Sequence, residues 1–346
     1  MCPLLVYTNF EEVIKMEEKI KVSLPKTVLD ILKKDCQDFR LLKENGQPNM
    51  NAFINTLIVN LYEEFSAHEE KLHEEIREAI FKLPEAYKKQ VFNDFVKILS
   101  KRGEGVFEKK QSATISFKPT KSSKRAIEYI DKVLLKNETV SSFYRRLFIS
   151  YSQRLKNERE KIIYKENYDI IKKSISKGQA VCITTTSGGV YNLASVYDIA
   201  PARDELFNYV LVYNDKSNHT LRLATVDTVL TLSDKAFIPE ESKELFKRQI
   251  ECGAQYPIYP TDKGLIKVKL SEHGKYLFKK IYLYRPVPIS IEDDIYTFNC
   301  SRNQVLYYFE RFGDSALILS PKKLGQQMRD FHYFALKKYR TIYNKD

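Results

Sequence analysis

Short β-prone stretches follow one another between residues 179 and 232, and their pattern predicts consecutive strands. Each stretch is rich in Val, Ile, Thr, Tyr or Phe, and turn residues such as Ser187-Gly188-Gly189 and Asn214-Asp215 separate them. The predicted strands cover residues 180–186, 190–199, 207–213, 220–226 and 228–232. Because so many strands in so short a span have to hide their edges, we expect a small, strongly bent barrel. An apolar helix precedes the strands and ends at Gly178.

A strand followed by two helices is predicted near the N-terminus. Polar and apolar residues alternate from Lys19 to Leu24, and Pro25 suits the first turn of a helix. Apolar residues at helical spacing predict two helices on either side of a turn at residues 43–48. These positions are Val28, Leu32, Cys36 and Phe39 in the first helix, and Phe53, Ile54, Leu57, Ile58, Leu61 and Phe65 in the second.

The same pattern returns later in the chain. Thr114-Ile115-Ser116-Phe117 repeats Lys21-Val22-Ser23-Leu24 93 positions later, and residues 141–148 match residues 51–58 at a distance of 90 positions. A predicted helix at residues 122–135 lies between the two matches, and the difference in length falls in a turn, where it costs little. The alternative is that these are two unrelated helical segments of one α-rich domain.

Helical and strand-like blocks fill the rest of the chain. Helices at about residues 66–83 and 85–101, separated by Pro84 and closed by Gly103-Glu104-Gly105, connect the two copies. After the predicted barrel come a helix at 239–250, apolar and aromatic blocks at 265–270, 282–286, 295–298, 307–313 and 316–321, and a helix from about 323 to 343.

The net charge indicates the kind of partner, and the cysteines indicate the redox compartment. A formal net charge of +12 favours a polyanionic partner, most often nucleic acid. The absence of any run of 18 apolar residues predicts no membrane span, and the acidic N-terminal region is unlike a signal peptide. The five cysteines, at positions 2, 36, 182, 252 and 300, form no Cys-x-x-Cys pair. We therefore expect reduced thiols in a cytoplasmic protein.

Motifs that carry catalysis are missing from the sequence. Ser187-Gly188-Gly189 lacks the Lys-Ser/Thr and the helix start of a phosphate-binding loop. His68 and His73 lie five positions apart, which places them on different sides of a helix. We therefore predict no catalytic residues, no metal site and no cofactor, and we do not expect an enzyme.

The segments Asn208-Tyr209-Val210 and Leu221-Arg222-Leu223 resemble the core of the WYL domain, a small Sm-like or SH3-like barrel. The family's Trp-Tyr-Leu triplet falls on the first segment, where only Tyr209 is kept, and its Phe-Arg-Leu falls on the second. The Asp-Arg that often follows is Ala224-Thr225 here. The resemblance implies that Arg222 lines a ligand pocket.

The flanking regions resemble two further modules. Strand, helix, turn and helix resemble a ribbon-helix-helix DNA-binding unit, which works in pairs with antiparallel strands, so the repeat predicts a tandem pair within the chain. The blocks after residue 264, with Arg285-Pro286 and Phe312-Gly313, resemble the C-terminal extension of WYL domains, which implies dimerisation and closure over a ligand.

These interpretations predict an α+β multidomain chain. We expect a lead-in at residues 1–16 and a ribbon-helix-helix-like domain at 17–158, with copies at about 17–65 and 111–157 and a helical connector at 66–110. A WYL domain at 159–238 and a C-terminal dimerisation domain at 239–346 follow.

Candidate binding residues lie in both halves of the chain. In the predicted ribbon the outward side chains are Lys19, Lys21 and Ser23 in the first strand and Ser112, Thr114 and Ser116 in the second, with Lys118 just beyond. Arg145 and Arg146 are candidates for phosphate contacts. In the barrel, aromatic and guanidinium groups suit unpaired nucleotides; the candidates are Tyr191, Tyr197, Tyr209, Tyr213, Arg203 and Arg222. Arg222 is the strongest, because an arginine on a buried strand needs an anionic partner. The alternatives are core tyrosines and ordinary exposed lysines.

The combination of modules is similar to the WYL accessory proteins of type VI-D CRISPR systems, whose effector is an RNA-guided RNA nuclease. That resemblance implies a non-enzymatic homodimer that binds single-stranded RNA and enhances the effector nuclease. The alternative is a transcriptional regulator that binds operator DNA through the ribbon and senses an oligonucleotide in the barrel.

Overall fold

The computed structural model describes residues 19–101, 112–135, 138–204, 206–262 and 264–343. The lead-in predicted at residues 1–16 and the Gly103-Glu104-Gly105 turn lie outside these ranges. The chain divides into two compact units, residues 1–154 and 155–346. Helices and antiparallel strands occur in both units, which confirms the expected α+β class.

The first unit contains a two-stranded antiparallel ribbon. Strand β1 (Ile20–Pro25) pairs with β2 (Ser112–Phe117). Val22 and Leu24 of β1 and Ile115 of β2 are buried, whereas Lys21 between the first two is exposed. The alternation in the sequence therefore decides which face of the ribbon is covered by helices.

The register of the ribbon is centred on positions that the sequence repeat equates. Val22 lies directly opposite Ile115, the residue 93 positions later. On one side of this pair Lys21 lies opposite Ser116, and on the other side Ser23 lies opposite Thr114. The positions on one side of the central pair are thus equivalent to those on the other side. This is the arrangement that an approximate two-fold axis through the central pair produces.

In the described part of the first unit, five helices accompany the ribbon. They are α1 (Lys26–Asp38), α2 (Met50–Ala79), α3 (Glu85–Lys101), α4 (Lys124–Tyr129), which continues as a π-helical segment (Ile130–Leu134), and α5 (Val140–Ser152). Helix α2 runs through Ser66, where a separate helix was predicted to begin, because no Gly or Pro interrupts it. The start of α2 is capped by Asn49 and that of α5 by Thr139, 90 positions later, each through a hydrogen bond to the third residue on.

A buried asparagine connects α2 to the segment that follows β2. The Nδ2 of Asn55 donates to the carbonyl of Lys118 at 2.9 Å, and its Oδ1 accepts from Thr120 N–H at 3.3 Å and from the hydroxyl of Ser123. Both Asn55 and Ser123 are buried. Because Asn55 and Ser123 satisfy each other's hydrogen-bonding groups, directional bonds as well as apolar contacts hold the two sequence copies together.

The second unit begins with α6 (Lys156–Ile163) and α7 (Lys165–Lys177), which ends at Gly178 with a left-handed φ of 61°. Five consecutive strands follow, as predicted. They are β3 (Gln179–Thr185), β4 (Val190–Pro201), β5 (Asn208–Asn214), β6 (Ser217–Arg222) and β7 (Val226–Lys235).

These strands form one antiparallel sheet in the order β6-β5-β4-β3-β7. Within the described residues its ladder is not closed by hydrogen bonds, so the predicted barrel is observed only as a five-stranded sheet with β6 and β7 at its edges. The 3₁₀ turn Leu223–Thr225 joins these two edges. Helix α7 covers the sheet and buries Ile171 against Val181 and Val212, which hides apolar surface without ring closure.

The last part of the second unit has β-α-β-β-α-β order. After α8 (Glu240–Cys252) come β8 (Ile266–Leu270), α9 (Glu272–Lys280), β9 (Pro288–Glu292), β10 (Ile295–Phe298), α10 (Arg302–Phe309), β11 (Ala316–Ser320) and α11 (Lys322–Tyr343). The sheet order β11-β8-β10-β9, antiparallel throughout, is that of a ferredoxin-like fold. Phe278, Phe298 and Phe309 form its aromatic core. None of the helices in the described ranges is long and apolar enough to cross a membrane.

Replacing Asn55 by Ala should loosen the ribbon, because Lys118, Thr120 and Ser123 would each lose a buried partner. Leaving such groups unpaired costs about 1–3 kcal/mol, so we expect the amides of β1 and β2 to exchange hydrogen roughly tenfold or more faster. Asn93→Ala, at an exposed position of α3, is the matched control and should leave the exchange rates unchanged. Equal protection in both variants would contradict a role for Asn55 in holding the ribbon.

Candidate functional site

Arg222 lies at the end of β6, opposite Tyr209 of β5. Its guanidinium carbon is 3.6 Å from the centroid of the Phe207 ring, which it covers. Its Nε is 3.5 Å from Oε1 of Glu160 on α6, and the two side chains are 20% and 0% exposed. Arg222 therefore belongs to an internal ion pair with a buried carboxylate.

The other oxygen of Glu160 connects α6 to the start of β5. Oε2 accepts hydrogen bonds from the backbone N–H of Asn208 at 2.6 Å and from its Nδ2 at 2.9 Å. The same Nδ2 donates to the carbonyl of Asn157 at 2.8 Å. Burial raises the pKa of the Glu160 carboxyl above its ordinary value, while Asn208 and Arg222 act in the opposite direction. Asn208 thus has a structural role at the start of β5.

The sequence predicts an anionic partner for Arg222, and the structure shows one. That partner is Glu160 of the same chain, so the need for a partner no longer points to a bound anion. A direct contact of Arg222 or Tyr209 with a ligand stays a prediction. Glu160 and Asn157 were not identified from the sequence, because single polar residues on a short helix have no diagnostic spacing.

A hollow of about 250 Å³ adjoins this corner in the second unit. The loop between β4 and β5, the segment after α8, the segment after α9 and helix α10 contribute to its wall. The lining residues are Arg203, Asp204, Gln255, Tyr256, Tyr282, Leu283, Tyr284, Arg285 and Gln304. Burial raises the pKa of the Tyr209 phenol, and the nearby carboxylates of Glu160 and Asp204 act in the same direction. Because Asp204 also lines the hollow, the hollow lies beside the Arg222 corner.

Two arginines give the hollow positive charge. Nη1 of Arg203 donates to the backbone carbonyl of Arg285 at 3.3 Å, and Nη1 of Arg285 donates to the carbonyl of Phe278 at 3.0 Å. No carboxylate in the described ranges lies within ion-pair distance of either guanidinium. Among the described residues of the lining, Asp204 is the one acidic side chain, so in this set the positive charges exceed the negative. A phosphate is the natural counterion for such a fork of donors.

Two tyrosines provide ring faces and hydroxyl donors. The rings of Tyr256 and Tyr284 meet edge to face with centroids 6.5 Å apart. Burial raises the pKa of both phenols above the ordinary value, so both are neutral and able to donate at physiological pH. Tyr284 has a left-handed φ of 62°, a conformation that costs free energy and that its surroundings must enforce.

The lining of the hollow carries groups that are suited to binding a ligand. Its lining offers ring faces, guanidinium groups and side-chain amides, which recognise planar and anionic groups. Among the residues that the structure describes, no group of three His, Cys, Asp or Glu side chains is placed to hold a metal ion.

The other predicted tyrosines lie outside this hollow. The rings of Tyr191 and His219 meet edge to face, with their centroids 5.2 Å apart. Tyr197 stacks on the buried Phe246 of α8 at 5.3 Å. Of the predicted barrel residues, only Arg203 belongs to the lining.

The predicted outward face of the ribbon is exposed as expected. Lys19, Lys21, Ser112, Thr114, Ser116 and Lys118 are exposed, and Ser23 is partly so. Lys21 lies opposite Ser116 in the ribbon, and Lys19 and Lys118 lie just beyond the pair that comes next. The lysines are therefore gathered at one end of the ribbon. On the outward face, the opposite end carries the uncharged side chains of Ser23, Thr114 and Ser112.

The two arginines predicted to reach phosphates have partners within the first unit. Nε of Arg145 donates to the backbone carbonyl of Ser23 at 2.7 Å. Arg146 forms ion pairs with Glu69 and, at 2.5 Å, with Glu138. The charge of Arg146 is therefore compensated inside the chain, which weakens the expectation of a phosphate contact.

Sequence reasoning missed most of the lining of the hollow. Arg285 appeared only as part of the arginine–proline marker, and Tyr256, Tyr284 and Gln304 were not singled out. Arg203 and Arg285 lie 82 positions apart and meet only in the folded unit. The one available signal was the presence of tyrosines and arginines outside the predicted barrel.

Comparison with solved structures supports the fold as a whole. A crystal structure of a CRISPR Cas-related protein is similar over 94% of this chain and 95% of that chain, with a TM-score of 0.65 and 17% sequence identity. A structure of proteasome accessory factor B/C (PafBC) of Arthrobacter aurescens aligns with 67% of this chain and 39% of that chain at 15% identity, but its TM-score of 0.23 carries no argument. No protein-family model and no curated protein matches the sequence.

Glu160→Ala should destabilise the second unit, because it leaves Arg222 and Asn208 without their buried acceptor. Breaking a buried ion pair costs about 3–5 kcal/mol, and we expect the lower end because Arg222 is partly exposed. Glu166→Ala, at an exposed position of α7, is the matched control. Hydrogen exchange of the β5 amides measures the effect, and equal protection in the two variants would contradict it.

Glu160→Gln should change how stability depends on pH. Because burial raises the pKa of this carboxyl above its ordinary value of 4.5, the stability it contributes is complete below that value and is lost as pH rises through the raised pKa. Glutamine does not titrate. Denaturant unfolding between about pH 4 and pH 8 should therefore show the wild type losing stability relative to the variant as pH rises. A difference between the two proteins that stays constant over this range would overturn the direction of the shift.

Proposed function

We propose that the chain is a non-enzymatic accessory protein that binds single-stranded RNA at the hollow of its second unit and enhances the RNA-guided RNA nuclease of a type VI-D CRISPR system. The observation that carries the RNA-binding part is the combination of Arg203 and Arg285, whose guanidinium groups donate to backbone carbonyls in the described residues, with the rings of Tyr256 and Tyr284. The likeness in fold to a CRISPR Cas-related protein supports the CRISPR setting.

Unpaired nucleotides fit this combination of groups better than a duplex does. Bases that are not stacked in a helix can lie against tyrosine rings, and arginine binds the phosphates between them. A duplex keeps its bases stacked inside and cannot place one in a hollow of about 250 Å³. The net charge of +12 attracts any polyanion, so the shape of the hollow is what selects the single strand.

Finer features of the fold support the family assignments. We assign the five-stranded sheet to a WYL domain because β6, which ends at Arg222, leads through a 3₁₀ turn to β7 at the opposite edge, as in SH3-like sheets. We assign the first unit to a tandem ribbon-helix-helix pair because Val22 and Ile115, equivalent in the two copies, face each other.

We further propose that residues 239–346 form a homodimer in the cytoplasm. Large apolar side chains of α11 are exposed; they are Phe331, Tyr333, Phe334, Leu336, Tyr339, Ile342 and Tyr343. A second copy would cover them. The cysteines in the described ranges are free, as a reducing compartment requires.

Arg203→Ala should weaken binding of single-stranded RNA by about tenfold, because it removes a phosphate contact, and should lower the salt dependence of binding by roughly 0.7 in the logarithmic slope. Arg329→Ala on α11 is the control: it removes the same charge from an exposed pair with Asp330. Fluorescence anisotropy with a labelled RNA at several salt concentrations measures both quantities. Arg222→Ala tests the same idea less cleanly, because it also leaves Glu160 unpaired.

At matched salt, the wild type should bind single-stranded RNA more tightly than duplex DNA. Equal affinity for the two nucleic acids, unaffected by Arg203→Ala, would contradict the proposal. Enhanced target cleavage by a purified type VI-D effector in the presence of the chain tests the accessory role. Metal-dependent cleavage of RNA by the chain alone would contradict the non-enzymatic part.

A transcriptional regulator is the second candidate, and the ribbon is the observation that favours it. An antiparallel two-stranded ribbon with exposed polar side chains fits the major groove of DNA. Because Lys19, Lys21 and Lys118 gather at one end, a ribbon bound to DNA would favour one orientation on a site without two-fold symmetry.

Under this alternative, Lys21→Ala should weaken duplex DNA binding several-fold through the loss of a phosphate or base contact, and it should leave RNA binding unchanged. A footprint on the promoter of the chain's own gene, lost in the variant, would favour the regulator. The same affinity for duplex DNA before and after the substitution would remove the ribbon from consideration.

A further inference from the structure

The segment at residues 275–285 leads from helix α9 into the wall of the hollow, and it is both basic and rich in tyrosine. Its basic residues are Lys275, Lys279, Lys280 and Arg285, its tyrosines are Tyr276, Tyr282 and Tyr284, and it contains no acidic residue. The loop between β4 and β5, which also contributes to the wall, carries Asp204 next to Arg203. A phosphate that leaves the hollow therefore meets one sign of charge along residues 275–285 and mixed charge along the loop.

Two contacts attach the end of α9 to the hollow. Nη1 of Arg285, which lines the hollow, donates to the carbonyl of Phe278 in the last turn of α9 at 3.0 Å. The hydroxyl of the buried Tyr308 donates to the carbonyl of Ile281, the first residue after the helix, at 2.6 Å. The last turn of α9 is thus fixed beside the lining, and Tyr282, which is 77% exposed, connects the two.

The solvent-facing side of α9 combines an aromatic ring with a cation. Tyr276 and Lys280 lie one turn apart on the same side of the helix, and both are exposed. Nζ of Lys280 donates to the phenol oxygen of Tyr276 at 3.3 Å and lies 5.5 Å from the centroid of its ring. The rings of His273 and Tyr276 stack with centroids 6.2 Å apart, and Tyr276 is 55% exposed in spite of that contact. Phe278 belongs to the buried core of the unit, so the helix is held through a different side.

The charges of Lys279 and Lys280 are not compensated by neighbouring carboxylates. Among the residues that the structure describes, no carboxylate lies within ion-pair distance of either Nζ, whereas Lys275 pairs with Glu272 at 2.8 Å. Lysines in the last turn of a helix also suit its negative end, so these two lysines alone do not indicate a ligand. Together with the exposed rings of two tyrosines, they form the combination of cations and stacking faces that binds single-stranded nucleic acid.

We infer that the RNA strand leaves the hollow past Tyr282 and continues along the solvent-facing side of α9, where Lys279 and Lys280 bind phosphates and Tyr276 stacks a base. We call these four residues the α9 track. This inference rests on the proposed binding of single-stranded RNA at the hollow. The volume of about 250 Å³ is too small for several nucleotides, so the neighbours of a bound nucleotide lie outside the hollow. The track makes affinity depend on the length of the strand.

The test measures affinity against the length of a labelled oligouridylate, from a dinucleotide to a probe of about 16 nucleotides, the upper site size of single-strand binding modules. The wild type should bind the longest probe about tenfold or more tightly than the dinucleotide, because stacking and phosphate contacts on the track add to those in the hollow. Most of the gain should come from the first few added nucleotides, since the track is short. Fluorescence anisotropy measures each affinity.

Substitutions on the track should remove the gain with length. Tyr276→Ala and Lys280→Ala should each lose most of it and bind the dinucleotide as the wild type does. Lys280→Ala should also lower the logarithmic salt slope for the longest probe by about 0.7, the loss of one phosphate contact. Tyr276→Phe keeps the ring and should keep the gain. Lys177→Ala is the control, because it removes the same charge from an exposed position in the last turn of α7 and should change nothing.

The dinucleotide separates this inference from the function on which it rests. Equal affinity of the wild type for the dinucleotide and the longest probe would overturn the α9 track and leave the hollow as the RNA site. A gain with length that survives both alanine substitutions would overturn it as well. So would an equal loss in Lys177→Ala and Lys280→Ala, since the gain would then come from overall charge. No binding of any probe would instead overturn the proposed function itself.

Discussion

The buried carboxylate of Glu160 fixes the corner on which the second unit's candidate site depends. A carboxylate removed from water needs donors, and it finds them in the backbone and side chain of Asn208 and in Arg222. These contacts set the start of β5 and hold the guanidinium of Arg222 against Phe207. Because Arg222 is neutralised inside the chain, the positive charge open to a ligand belongs to Arg203 and Arg285, whose partners are carbonyl groups.

Features set by local sequence were predicted well. The five strands between residues 179 and 235 begin and end within about four residues of their predicted bounds, since runs of β-prone residues between turns need no distant information. Strand β9, in contrast, follows the predicted block at 282–286 instead of coinciding with it. The ribbon is a longer-range case: its repeat placed Val22 and Ile115 at equivalent positions, and an antiparallel pair with two-fold symmetry must bring such positions together. The extension of α2 past Ser66 was missed because a turn was assumed where no helix-breaking residue is present.

The candidate site was predicted only in its general character. Tyrosine with arginine was the expected chemistry, but the tyrosines that line the hollow, Tyr256, Tyr282 and Tyr284, lie far along the chain from those chosen. Stacking of Tyr197 on Phe246 and pairing of Arg222 with Glu160 depend on which elements pack together, and composition does not specify this. Whether an arginine is free or neutralised is a property of the tertiary structure, so no pattern of spacing reveals it.

The two units present polar surfaces of opposite shape, and shape is what separates the candidate functions. The ribbon is an exposed pair of strands with lysines at one end, which suits a groove that it can enter. The hollow is concave and is lined by tyrosine rings and guanidinium groups, which suits a base that has left its stack. Both surfaces attract phosphate, so affinity and salt dependence alone do not distinguish them. A preference for single strands over duplex does, because only the concave hollow can take up an unstacked base, whereas the ribbon needs a groove to enter.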